Sequence, residues 1–274
     1  MMLNKTLGRY VVPEELILIS ELDIEFSTLH KYDSLLGATI HFGDGRYFNT
    51  PLDVIPFGWT GGNGIHLGFL TDFSTCKTLD DAYVVCVSPM DFDKPVTILS
   101  RNIRELLGLW IATGDPSFMD YFKHCTSEEQ FNHFLKKNER DLYERSKKLE
   151  PYFQIIQQHF DIEAIPDVYQ YLLKLQQRRC EEVVLQTQDG LGVVSYTSGQ
   201  SHHSSYKITK EARYDMDEIS VFLSTSSIES KLALIRDLQL NYVLWDEYDL
   251  KEIIYHELMT DGFEEEATIL KRDL

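Results

Sequence analysis

The stretch Asp53-Val54-Ile55-Pro56-Phe57-Gly58-Trp59-Thr60-Gly61-Gly62-Asn63-Gly64-Ile65-His66-Leu67-Gly68-Phe69-Leu70 decides the fold. Two β-prone runs, residues 53–59 and 65–70, flank a segment of Gly and Asn, the residues that reach positive φ at least cost. The pattern reads as two strands reversing through residues 60–64. Working outward, residues 36–42 form a similar run that stops at Gly43-Asp44-Gly45. Residues 82–88 and 95–99 form two more, separated by Pro89-Met90-Asp91-Phe92-Asp93-Lys94. No helical pattern interrupts these runs, so an antiparallel meander is expected rather than βαβ units.

Beyond the sheet the period changes. Asn102 reads as a helix cap with Glu105 at the third helical position and an apolar stripe of Ile103, Leu106, Leu107 and Trp110, ended by Gly114. Asp115-Pro116 opens a short helix carrying Phe118, Tyr121 and Phe122. Residues 127–180 read as helical, with Phe131, Leu135, Leu142 and Leu149 along one face and breaks at Pro151 and Pro166. Within residues 183–197, Asp189-Gly190 signals a hairpin. Ser226 with Glu229 resembles a capping box before Ile228, Leu232 and Ile235, and Leu250, Ile253, Ile254 and Leu258 mark a further amphipathic helix. The expected fold class is α+β: an antiparallel, meander-like sheet with flanking helices, then a mainly helical C-terminal half containing a β-hairpin. No Pro/Gly/Ser-rich linker separates residues 1–125 from 126–274, so the two regions are expected to pack together.

Composition narrows the class. With 43% hydrophobic residues in 274, the chain can bury a core without disulfides or metals. Cys76, Cys86, Cys125 and Cys180 show no close pairing and read as reduced thiols. No secretion signal opens the sequence and no apolar run is long enough to span a bilayer, so a cytoplasmic address and no membrane partner are expected. The net charge of −18 is uneven. Residues 1–125 carry 9 basic and 16 acidic side chains, residues 126–180 carry 9 and 9, and residues 181–274 carry 8 and 19. Such a field repels phosphate backbones and attracts basic surfaces, so nucleic acid is not an expected partner and a basic protein is.

The candidate chemical motifs are each thin. Gly61 to Gly68 matches neither the dinucleotide nor the Walker spacing and leads into a strand, so it reads as a turn. His66 and Asp72 suit a base and its orienting partner, but no nucleophile turn accompanies them. The adjacent His202 and His203, in a polar loop over residues 198–205, point to opposite sides of an extended chain and do not share one ion. Asp91 and Asp93 lack further spaced oxygen donors for a cation. No catalytic residue, metal or cofactor is therefore expected. Aromatics among Phe57, Trp59, Phe69, Phe73, Tyr83 and Phe92 suit core filling, and any left exposed beside carboxylates suit an anchor. The expected partner-binding set is Trp59, Asn63, His66, Asp72, Asp91 and Asp93. Two alternatives stand beside it: a hydrolase or metal-dependent enzyme centred on His66, Asp72, Asp91 and Asp93, and a regulatory adaptor using the helical back half.

Pro56-Phe57-Gly58-Trp59, the Gly/Asn turn, Gly68-Phe69 and Tyr83-Val84-Val85-Cys86-Val87-Ser88-Pro89 resemble the SUKH superfamily, as does the start at Leu7-Gly8 and Val12-Pro13-Glu14-Glu15-Leu16. The resemblance covers roughly the first 110 residues, through the helix opened by Asn102. It departs from the family in having few residues before Val12-Pro13 and no recognised counterpart for residues 126–274. What it implies is an α+β domain that binds protein without a cofactor, as in bacterial immunity proteins that neutralise toxins and in regulators of fungal cell-wall synthesis.

Overall fold

The computed structural model describes residues 6–31, 33–43, 45–196, 202–208 and 214–272. A two-stranded ribbon, β1 (Thr6–Leu7) and β2 (Tyr10–Val11), leads into α1 (Glu14–Leu29). Five strands follow: β3 (Thr39–Ile40), β4 (Val54–Trp59), β5 (His66–Leu70), β6 (Tyr83–Val87) and β7 (Val96–Ser100). They form one antiparallel sheet in sequence order, the expected meander. β3 is shorter than the run 36–42, because only Thr39 and Ile40 face β4, opposite Trp59 and Gly58. That short reach leaves Pro56 on an open stretch of β4 and beside a bulge between Pro56 and Gly58, where a residue without an N–H is tolerated.

The edge at β3 is closed by α1. Its Asp23 carboxylate is buried and is held by the backbone N–H groups of Leu35, at 2.7 Å, and Ile40. Sequence periodicity gave no sign of α1, because Leu16, Ile17, Leu18, Ile19, Leu22, Ile24 and Phe26 place apolar groups all round the helix.

After the sheet come α2 (Ile103–Thr113), a 3₁₀ helix (Pro116–His124), α3 (Glu128–Lys137), α4 (Glu139–Phe160) and α5 (Val168–Glu182). Asn102 caps α2 by accepting from the Glu105 N–H at 2.9 Å, and Gly114 ends it at φ +75°. Asp115 caps the 3₁₀ turn through the Ser117 N–H at 3.0 Å. The expected break at Pro151 is not there, for α4 runs straight through it. An interior proline costs about 3 kcal/mol. Here Leu149, Tyr152, Phe153 and Ile156 are all buried around it, with Phe153 edge-on to Trp110 at 4.7 Å and Tyr152 edge-on to Phe26 at 5.4 Å. Packing of that face outweighs the lost backbone bond.

The hairpin β8 (Val183–Leu185) and β9 (Val193–Val194) is present, but its loop is wider than a two-residue turn. The Gly190 N–H bonds Thr187 O at 3.1 Å, and Gly190 and Gly192 both have positive φ. The remaining helices are α6 (Met216–Thr225), α7 (Ile228–Leu240), α8 (Val243–Asp246), α9 (Tyr248–Thr260) and α10 (Glu264–Arg272). The cap of α7 is Ser227 and not Ser226, since the Ser227 hydroxyl accepts from the Ser230 N–H. Glu229 is buried instead of closing a capping box, and it accepts from the Tyr196 N–H at 2.9 Å.

The buried apolar residues form two clusters. The first core holds the sheet together with α1, α2, the 3₁₀ helix, α4 and α5, and continues to Leu191. The second is built from Val193, Ile208 and the helices from α6 onward, and from the sheet side it takes in Leu52 and Phe73, with Phe48 half-buried against it. No helix among the described residues is long and apolar enough to cross a membrane.

Candidate docking surface

The six residues singled out from sequence fall into three environments. Trp59 is half-buried, its indole N–H donating to Gly45 O at 2.9 Å and its ring packed against His41 and His66. His66 is fully buried. Its Nδ1 lies 2.8 Å from Gly64 O, which can only accept, so Nδ1 carries the proton and Nε2 accepts the Thr50 hydroxyl at 3.1 Å. Burial pushes its pKa down to about 4, against the Gly64 carbonyl and with the help of the Arg46 charge, so the ring is neutral. Gly64, at φ +71°, has no room for a side chain because a β-carbon there would collide with the Tyr47 ring. The ring of Tyr47 also stacks on His66 at 5.9 Å.

Asp72 is held in a bidentate pair with Arg179, at 2.9 and 2.6 Å. It does not meet His66, whose two ring nitrogens are both engaged elsewhere. Asp91 takes a third environment, at 3.1 Å from Lys123 Nζ and 3.0 Å from His124 Nε2. Burial opposes its ionisation, but the Lys123 ammonium, the Lys94 N–H and His124 together hold its carboxyl below the usual range. Asp93 and Asn63 are exposed, Asn63 at φ +51° in the turn. His66, Asp72 and Asp91 are thus each engaged by different partners, and Asp93 is exposed. His202 is exposed while His203 turns to Ser227 Oγ at 3.2 Å, and residues 198–201 of that loop lie outside the described residues. Among the described residues no group of three potential ligands is placed to hold a metal.

What the structure assembles instead is an aromatic ridge that sequence reading did not find. Trp245 meets Phe48 edge-on at 4.7 Å, Phe48 stacks on Tyr242 at 5.8 Å, and Tyr242 packs on Phe92 at 6.0 Å. Four rings thus form one continuous row from three distant segments. Trp245 is 63% exposed, Tyr248 62%, Met90 63% and Phe92 52%. Exposed large apolar groups beside such a row make it a candidate contact surface. Exposed carboxylates neighbour it in sequence, Asp93 beside Phe92, and Glu247 and Asp249 just past Trp245. A cation already sits against it from within: Lys251 Nζ stands 6.0 Å over the Phe48 ring.

No protein-family model and no curated protein matches the chain. The ridge has to be read from its own chemistry.

Local structure explains why the ridge forms. Tyr242 sits at φ +61° between α7 and α8, which swings its ring back over Phe48. Its hydroxyl accepts from Asn49 Nδ2 at 3.1 Å, and Asn49 also donates to Pro89 O at 3.0 Å. Asn49 therefore fixes the 89–92 turn and the 242 turn to the same point. Gln239 completes the arrangement by donating to Phe48 O at 2.9 Å and Thr50 O at 2.6 Å. The only signals in the sequence were Trp245 and Tyr248 among carboxylates at a helix boundary, which period alone does not distinguish from core.

Proposed function

We propose that this chain is a non-catalytic protein-binding protein, of the toxin-neutralising immunity kind, that docks a basic protein on the Phe92–Tyr242–Phe48–Trp245 ridge. The observation that carries the reading is the aromatic row with exposed ends and exposed carboxylates next to both in sequence. Aromatics supply most of the energy at protein interfaces, and rim charges steer the approach of the partner. The uneven charge supports it, since residues 181–274, which supply Trp245, Tyr248, Glu247 and Asp249, carry 8 basic and 19 acidic side chains. The resemblance of the first 110 residues to the SUKH superfamily supports the immunity role and a cytoplasmic setting. No metal or cofactor enters the proposal.

The test is capture of partners from the native cell with the full chain, followed by binding measurements on the purified pair. A basic partner whose affinity falls on Trp245→Ala and whose association slows with added salt is the expected result. A partner whose binding ignores Trp245→Ala and Tyr248→Ala together would move the site elsewhere, and an acidic partner would overturn the charge argument.

A further inference from the structure

The ridge crosses a seam between the two hydrophobic cores. Phe48 and Phe92 belong to the loops of the sheet side, Tyr242 and Trp245 to the helices of the second core. Each of the three ring contacts in the row joins one side to the other.

The seam itself is unlike either core, because it is closed by buried ions. Arg236 of α7 reaches Asp53 at 2.5 Å and Asp189 at 3.1 Å, and all three side chains are almost fully buried. Closing an ion pair inside a protein strips both groups of water, and the attraction gained does little more than offset that loss. Here Asp53 Oδ1 and Arg236 Nε are buried with no hydrogen-bond partner among the described residues. A polar atom left so costs about 1–3 kcal/mol.

The backbone beside the seam is also strained. Asp72, Phe73 and Ser74 are three successive non-glycine residues at positive φ, 50°, 49° and 71°. Each left-handed residue costs roughly 1 kcal/mol. That turn drives Phe73 into the second core, where it meets Phe263 at 6.0 Å, and sets Ser74 Oγ on Glu266 at 3.1 Å. The apolar groups that reach across the seam from the sheet side are Leu52 and Phe73, the half-buried Phe48, and the ring contacts of the ridge.

We infer that the docking ridge is a conditional surface, present only while the second core is seated on the 48–53 and 72–74 segments, and that the seam opens at lower free energy than the sheet core unfolds. A region with few apolar contacts, unsatisfied buried groups and backbone strain is the part of a fold that opens first. A partner that spans the ridge binds the closed form alone and so holds the two cores together. That last consequence rests on the docking reading above. The seam does not.

Thiol labelling of the full chain tests this. Cys86 is completely buried in β6 and reports opening of the sheet, and Leu52→Cys places a second reporter in the seam. Labelling by N-ethylmaleimide is followed by peptide mass spectrometry, with each rate normalised to that of the same thiol in denaturant. The expected result is that the introduced seam thiol reacts at least about ten-fold faster than Cys86. Gln239→Ala, which removes the donor to Phe48 O and Thr50 O, and Trp245→Ala, which removes a cross-seam ring, both speed the seam thiol further, with Cys86 still the slower of the two. Should Leu52→Cys fail to fold, Leu244→Cys, which is buried and lines the same small gap as Leu52 from the second core, serves as the seam reporter. Equal normalised rates at the two thiols, in the unaltered background or in these variants, would mean one cooperative unit and overturn the inference. If the labelling behaves as expected but Trp245→Ala leaves binding of the captured partner intact, the seam stands and the docking reading falls.

Discussion

Trp59 and Trp245 are the same residue in opposite circumstances. Around Trp59 the polar groups are satisfied from within, the indole N–H by Gly45 and the two nitrogens of His66 by Gly64 and Thr50. Around Trp245 the rings form a row whose ends, Trp245 and Phe92, are exposed, with exposed carboxylates next to both in sequence. Aromatic residues near Gly-rich turns and aromatic residues near helix boundaries look alike in a sequence. What separates them is whether the fold itself supplies their partners. The Trp59 region is architecture and the Trp245 region is surface, and each claim can be broken separately.

The largest effect is expected at the interior site. Trp59→Ala should destabilise the protein by about 3 kcal/mol, the usual range for truncating a large aromatic in packed surroundings. Chemical denaturation checks this, and a midpoint close to that of the unaltered protein would show that the Trp59 region is not structural.

His66 sharpens the same side of the comparison through pH. Its pKa is pushed down to about 4 in the fold, below its ordinary value of 6.5, so the stability it contributes is fully present above 6.5 and is lost as pH falls through 4. The advantage of the native chain over His66→Asn should therefore shrink by about 3 kcal/mol between pH 7 and pH 4. Asp53 and Asp237, both pushed up to about 6 chiefly by burial, act with the opposite sign, favouring the fold as pH falls. They are common to both proteins and cancel in the difference. A constant difference across that range would mean that His66 is not the neutral, buried ring described here.

On the surface side, Trp245→Ala should leave stability within about 0.5 kcal/mol while weakening binding of the basic partner by about 2 kcal/mol, mainly through faster dissociation. The two variants together form the sharpest comparison, one losing fold and the other losing affinity. The smallest effect is expected from charge. Asp93→Asn, at an exposed position, should slow association roughly two-fold at low salt with little change in dissociation. Asp91→Asn is not equivalent, because Asp91 is tied to Lys123 and His124 and its loss should register in stability as well.

Much of the sheet was legible, and for a local reason. The strand boundaries at Trp59, His66 and Val87 coincide with Gly, Asn and Pro clusters that favour turns wherever they occur, and Asn102 and Gly114 bound α2 through bonds to near neighbours. What escaped reading depends on distance along the chain. Pro151 lies within a helix because Trp110 and Phe26 pack on the residues beside it. In the hairpin loop Asp189 meets Arg236, a contact made 47 residues later. The ridge brings Phe48 to Trp245 and Phe92 to Tyr242, and no local pattern connects such pairs. Asp72 illustrates the point in the candidate site: six residues from His66, it answers to Arg179 and not to its neighbour.

Asp23 carries a consequence of a different kind. An exposed edge strand offers its unpaired N–H and C=O groups to any other extended chain, and proteins blunt such edges with short strands or charges turned inward. β3 does both, with two residues of pairing and a buried carboxylate resting on the Ile40 N–H. The acidic side chain thus occupies the place where the strand of another molecule would have begun to pair. An inward-turned carboxylate at a short edge strand disfavours pairing with another chain, at the cost of burying an ionisable group.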